Sequence, residues 1–427
     1  MNSDKHSLPS LCVGARSQAS GVEAYTQTVT LYEHRAGETH ELLWQYEGAN
    51  PVRARYFIDS RPDRRLHVST LDGSRRKTLR PNNISARGYV ILNDGTLLRY
   101  STTPEGAPPT TLDHAHQVLR TEYAAAAVTR DGRVVAWGDA AYGGVAPSFE
   151  RKVVALASTL GAFAALQEDG SVKAWGNEFS GGTTPDEPLR DIASLAAGNY
   201  VFAALGRTGN LSAWGLPFAG GIAPPLEKAV ELAATEYAMA ARHDPGTVTA
   251  WGDEGSGGNA PPLEQVLALK ANQKAFAALL RNGTVRAWPN TVESGRPPAM
   301  TDVVSLTANE QAFAALHRNG SVTAWGRAAF GGSAPLLSQV ASVTANNTAF
   351  AALHENGTVS AWGLAEEGGT IPAELAGELH DIQVVYGCSL IFIALRADGR
   401  VFAWGNPSQR PNAQALQAMQ QHLSYFE

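Results

Sequence analysis

The chain has 427 residues, 44% hydrophobic and 17% charged, enough to bury a large core, and its 42 Gly and 23 Pro mark it as turn-rich. A net charge of −6 and a pI near 6.0 offer no general attraction to phosphate backbones or anionic lipid, so neither nucleic acid nor a membrane is an expected partner. Two cysteines, Cys12 and Cys388, cannot form a disulfide framework, which leaves stability to packing and makes Cys388 a free buried thiol by expectation.

In chain order, residues 1–80 form the first segment. Its start lacks the apolar core of a secretory leader, and no run approaches a membrane span, so the chain is expected in the cytoplasm or released without a cleaved signal peptide. Val29–Trp44 reads as a hairpin, and Tyr56–Val68 as a degenerate copy of the unit that fills the rest of the chain. Gly88–Tyr100 is a clearer degenerate copy, with Tyr100 placed 37 residues before Trp137.

From there the pair Ala-Trp recurs at Trp137, Trp175, Trp214, Trp251, Trp288, Trp325, Trp362 and Trp404. A period near 37 residues suits one supersecondary unit that needs copies of itself to bury its apolar face. In the copy ending at Trp288, Val266–Leu269 and Ala275–Leu280 read as strands, and Asn282-Gly283 is a tight-turn signal leading into a third strand, Thr284–Trp288. Six of the eight copies keep Asn-Gly or Asp-Gly at that turn. Ala-rich inner strands such as Phe313–Leu316 and outer strands carrying Trp give the small-inside, large-outside gradient of a radial β-propeller, so the fold class is all-β, with seven to nine blades over residues 81–410. In 411–427, Leu416, Met419, Leu423 and Phe426 fall at helical spacing, as a short docking helix would place them.

The unit Leu-x-x-Asn/Asp-Gly-x-Val-x-Ala-Trp-Gly, followed by Gly-Gly-x-x-x-Pro, resembles the regulator of chromosome condensation (RCC1-like) repeat, most closely the short bacterial form seen in type II β-lactamase inhibitory protein. The match is repeated eight times over 123–405, weak over 80–122 and absent before that. The resemblance implies a propeller of about seven blades that serves as a rigid protein-binding platform. Through the longer eukaryotic members it also implies an alternative, guanine-nucleotide exchange on a small GTPase. The uniform spacing leaves no inserted loop for that task. Carbohydrate recognition at a Tyr-lined mouth is a further alternative.

Aligned on the turn glycine, the copies differ most in a triplet before the Ala-rich strand, and in a propeller these triplets ring one mouth of the channel. The residues expected to meet a protein partner are Glu122, Tyr123, Asn199, Tyr200, Glu236, Tyr237, Gln273, Lys274, Glu310 and Gln311, since Tyr buries much area at low entropy cost and amides pair adaptably. The competing reading is that the triplets only satisfy backbone groups between blades. A second variable loop follows each Trp-Gly, and its aromatics Tyr142, Phe179, Phe218 and Phe330 read as wedges between neighbouring units.

His243, His317 and His354 share one column, too far apart on separate blades to bind one metal, and read as surface hairpin residues. No nucleophile elbow, phosphate loop or zinc-protease motif occurs, so no catalytic residue, metal or cofactor is expected.

Overall fold

The computed structural model describes residues 13–18, 28–33, 41–46, 49–54, 56–59, 66–74, 76–79, 88–92, 95–101, 103–109, 112, 114–289, 296–396 and 398–422. Eight three-stranded antiparallel sheets, one per Trp, occupy 115–138, 153–176, 192–215, 229–252, 266–288, 303–326, 340–363 and 382–405, and are numbered here as blades 1 to 8. In each, the three strands pair in sequence order; in blade 2 they are Val153–Ser158, Ala162–Gln167 and Val172–Gly176.

First strands lie beside the first strands of neighbouring blades and so are the innermost. The Ala-rich strand, expected innermost, is instead the middle one: Ala312–His317 lies between Val303–Ala308 and Val322–Gly326. Its small residues answer to blade-on-blade packing rather than to crowding at the axis. In blade 2, Ala162, Ala164 and Leu166 pack under blade 3, while Phe163 and Ala165 pack with Trp175 against blade 1. A strand buried on both faces reads as a continuous apolar run, as this one does.

The Trp locks each blade to the one before it. Its ring stacks on the Phe opposite in its own sheet in six blades, with centroids 5.1–5.3 Å apart. In six blades its indole N–H donates to a glycine carbonyl of the preceding blade, as Trp214 does to Gly181 (3.0 Å) and Trp362 to Gly331 (2.9 Å), and in blade 1 Trp137 donates to the Tyr89 hydroxyl (3.3 Å). Gly181 requires glycine twice over: its φ is +86°, and a Cβ would stand 2.8 Å from the Phe202 ring. The corresponding stretch before Trp325 falls within 290–295, outside the described residues.

Outside the closure, each apolar cluster spans two neighbouring units, and the series returns to its start. Tyr89, Ile91 and Leu97 of the hairpin Tyr89–Ile91/Leu97–Arg99 pack on blade 1. Val90, Leu92 and Tyr100 join Val384, Tyr386, Cys388 and Ile393 of blade 8. The degenerate copy therefore closes the ring as a ninth, two-stranded unit, and the fold is an all-β propeller with a short C-terminal helix.

A buried ion pair sits at this closure: Arg120 Nη2 lies 2.5 Å from Glu105 Oε2, both side chains at 1% exposure or less. Cys388 is free and buried there, its thiol pushed up to about 12 by burial and bonded to the Tyr100 hydroxyl. A four-stranded sheet, ordered Val52–Ala54, Leu42–Tyr46, Leu66–Thr70, Arg76–Leu79, covers the closure with Leu42, Trp44, Leu66 and Val68. The helix Ala413–His422 docks on the same cluster through Ala415 and Met419; Leu423 and Phe426 lie outside the described residues.

Two N-terminal expectations are corrected. Thr28–Glu33 pairs with Val13–Gln18 and Tyr56–Asp59, whereas Leu42–Tyr46 belongs to the four-stranded sheet, so Val29–Trp44 is not one hairpin. Tyr56–Val68 is likewise divided between the two sheets rather than forming a copy of the unit.

Candidate functional site: the aromatic mouth

The triplets connect first to middle strands and are tied together around one face. In six of the eight the middle residue donates its N–H to the middle residue of the next: Glu122 to Leu160 and Leu160 to Asn199, then Glu236 to Gln273, Gln273 to Glu310, Glu310 to Asn347 and Asn347 to Ser389, at 2.7–3.0 Å. First residues of the triplets are structural. Thr235 Oγ1 accepts from Ala238 N and donates to Ser256 O, and the Asn309 amide accepts from Ala312 N and donates to Phe330 O. The backbone-satisfying role thus belongs to this position, and the same bonds tie the triplet to the loop after the third strand. The two variable loops share one face.

On that face the ten sequence-selected residues fall into four groups and one outlier. Tyr123, exposed beside Glu122, meets Tyr142 edge-on at 4.8 Å. Tyr200 and Tyr237 stack in parallel, 5.7 Å apart and 4° from coplanar, and Phe218 packs on Tyr237 at 5.9 Å. The Lys274 ammonium stands 5.4 Å from the Tyr237 ring centre and 2.9 Å from Glu236 Oε2. Partial burial, with the Glu236 carboxylate beside it, pushes the Tyr237 phenol up to about 12. Gln311 accepts from Arg327 (2.8 Å), whose guanidinium covers the Phe330 ring at 5.1 Å. Gln273 and Glu310 are half-buried links of the backbone relay, and Asn199 is the outlier, a link whose side chain is only 4% exposed.

The after-Trp aromatics divide. Tyr142 and Phe330 stand five residues after their Trp, at the inward-facing third position of a single 3-10 turn, and pack partly into blade interfaces as wedges. Phe179 and Phe218 stand four residues after theirs, at the second position, and are 70% and 61% exposed. The wedge reading therefore fails for these two, which join the mouth. The signal that distinguishes them, a spacing of four rather than five, is present in the sequence.

Charge is as one-sided as aromaticity. Among the described triplets and the five residues after each third-strand glycine, the carboxylates are Glu122, Glu236 and Glu310 in the inner loops and Asp139, Glu178, Asp253, Glu254, Glu366 and Glu367 in the outer ones. Facing them are Lys274, Arg327 and Arg410. Among the described residues of these loops, nine carboxylates stand against three cations.

Glu122, Glu236 and Glu310 come from blades 1, 4 and 6 and form no paired carboxylates; among the described residues no group of His, Cys, Asp and Glu is arranged to hold a metal. The histidine column lies elsewhere and is built in. His317 Nδ1 bonds Thr301 O (2.9 Å) and Nε2 bonds Thr323 Oγ1 (2.8 Å), His354 repeats the pattern with Ser338 and Ser360, and His243 is buried with Glu227 and Thr249. They are braces between a blade junction and an outer strand rather than loose surface residues. No described helix is long and apolar enough to cross a membrane.

No family model and no curated protein matches the chain. Among solved structures it is similar to Prp20p from Saccharomyces cerevisiae, at 19% identity over 64% of this chain and 85% of that one, with a TM-score of 0.37. It is similar to yeast RCC1 (Prp20) in its complex with Kap60, at 17% identity over 71% and 82%, TM-score 0.39. It is also similar to the ectodomain of the Physcomitrella patens receptor kinase CR4, at 19% identity over 59% and 73%, TM-score 0.40. At these low identities and scores, the propeller assignment rests on the sheets and the closed series of clusters described above.

Proposed function

We propose that the chain is a non-catalytic protein-binding propeller, an interaction or inhibitor module of the RCC1-like kind and of its short bacterial form, which engages its partner through the aromatic mouth. The observation that carries this reading is the concentration of exposed and half-exposed rings, Tyr123, Phe179, Tyr200, Phe218 and Tyr237, on one face of a scaffold whose loops are fixed by backbone bonds. A rigid frame with divergent loops is a common way to display a binding site, and rings held in place before binding lose little entropy on contact. Interface energy concentrates in a few such anchors.

The test is to capture a partner from the host's own lysate and measure its affinity for variants. Tyr123→Ala, Tyr200→Ala and Tyr237→Ala should each weaken binding by about 1 kcal/mol or more while the melting temperature stays near that of the parent. Because Tyr200 and Tyr237 stack on each other, their double variant should lose less than the two single losses combined. Parent-like binding by all three variants would remove the mouth as the site.

A further inference from the structure

We infer that the partner presents a basic protein segment, whose arginine or lysine side chains seat between exposed rings and neighbouring carboxylates on blades 1 and 2. This rests on the reading that the mouth binds protein. Three times on this face a glutamate directly precedes an aromatic ring: Glu122-Tyr123, Glu178-Phe179 and Glu236-Tyr237. The third is already filled, with Lys274 over the ring and against the carboxylate. It is a built example of the seat, in which the ring's negative face and the carboxylate attract the same cation.

At the other two the same residue types are present without a cation. Glu122 and Tyr123 are exposed on blade 1, Glu178 and Phe179 on blade 2, and no Lys or Arg of the described residues is placed on either ring. The two seats lie on adjacent blades joined by the bond from Glu122 N to Leu160 O, so one extended segment can fill both. The excess of carboxylates over cations in the described loops of this face, nine against three, selects the sign of what approaches and favours its encounter.

The test titrates the intact chain with two fluorescein-labelled octapeptides, alternating Arg-Ser and alternating Glu-Ser, followed by anisotropy. The Arg peptide should bind, the Glu peptide should not, and binding should weaken about tenfold between roughly 50 and 300 mM salt. Glu122→Gln with Glu178→Gln should weaken the Arg peptide about tenfold, and Phe179→Ala alone about threefold. Glu366→Gln with Glu367→Gln removes the same charge from the same face, away from both seats, and should change binding less than about twofold. Equal losses from the two glutamine pairs would reduce the effect to diffuse attraction and overturn the seats; binding of the Glu peptide would overturn the basic partner.

The captured partner separates this inference from the reading beneath it. If its binding falls with the Tyr variants but not with Glu122→Gln/Glu178→Gln, the mouth stands and the basic segment falls. If the Tyr variants leave it unchanged, both fall.

Discussion

The repeat tryptophan combines three roles in one side chain: a stacked ring, a buried surface and a donor to the neighbouring blade. Trp362 is 5% exposed, stacks on Phe350 at 5.2 Å and donates to Gly331 O at 2.9 Å. Trp362→Ala should therefore cost roughly 3–5 kcal/mol, the range for truncating a buried aromatic. Trp362→Phe keeps a stacking ring but orphans the Gly331 carbonyl and should cost less, about 1–3 kcal/mol. Chemical denaturation of both variants checks the order; equal costs would mean that the stacked ring contributes nothing, and a Trp362→Phe without cost that the hydrogen bond contributes nothing. The recurrence of Trp was plain in the sequence; its acceptor was not, because a backbone carbonyl 31 residues earlier leaves no mark on residue identity. The same holds for the residues at positive φ before the first strands, among them Asp191, Lys228, Gln265, Asp302 and Gln339. Asp, Lys and Gln all fill one left-handed position, so no glycine advertises it.

At the scale of the element, the eight blades were legible because a 37-residue period and a repeated Asn-Gly or Asp-Gly turn survive any error in a single copy. The order of strands within a blade was not. An Ala-rich strand suits a crowded axis and an interface between sheets equally well, and only pairing distinguishes them. The mouth loops were legible as a set, yet their companions after the Trp were read as one column although they differ by one residue, which turns a ring from the interface to solvent. The closing hairpin shows a different economy: it has two strands, and a buried ion pair joins its following loop to blade 1. Removing Glu105 takes a carboxylate from beside a guanidinium that is 1% exposed, so Glu105→Ala should cost about 3–5 kcal/mol. A loss below about 1 kcal/mol, read by denaturant midpoint, would mean that the ion pair does not hold the closure.

For the whole molecule, the backbone relay makes the mouth a property of the ring rather than of any blade. The amides of Glu122, Leu160, Glu236, Gln273, Glu310 and Asn347 sit in loops, where exchange is ordinarily fast, but each bonds to the next blade. They should exchange with solvent on the time scale of global unfolding, as amides of the middle strands do; exchange within seconds would show that the loops open independently.

The tryptophan bonds and the paired clusters also set the two natural divisions of this chain out of step. A copy of the sequence motif runs from one turn to the next, but a copy of the packed core runs from the small face of one blade to the large face of its successor. No single repeat carries a complete interior. A lone copy released by proteolysis or expressed alone would bring two raw surfaces and no core, whereas a duplication of any whole number of periods brings matching surfaces at both junctions. The lineage could thus lengthen or shorten by copying without redesigning an interface, with the irregular hairpin as the one joint where a ring of a new size must be refitted.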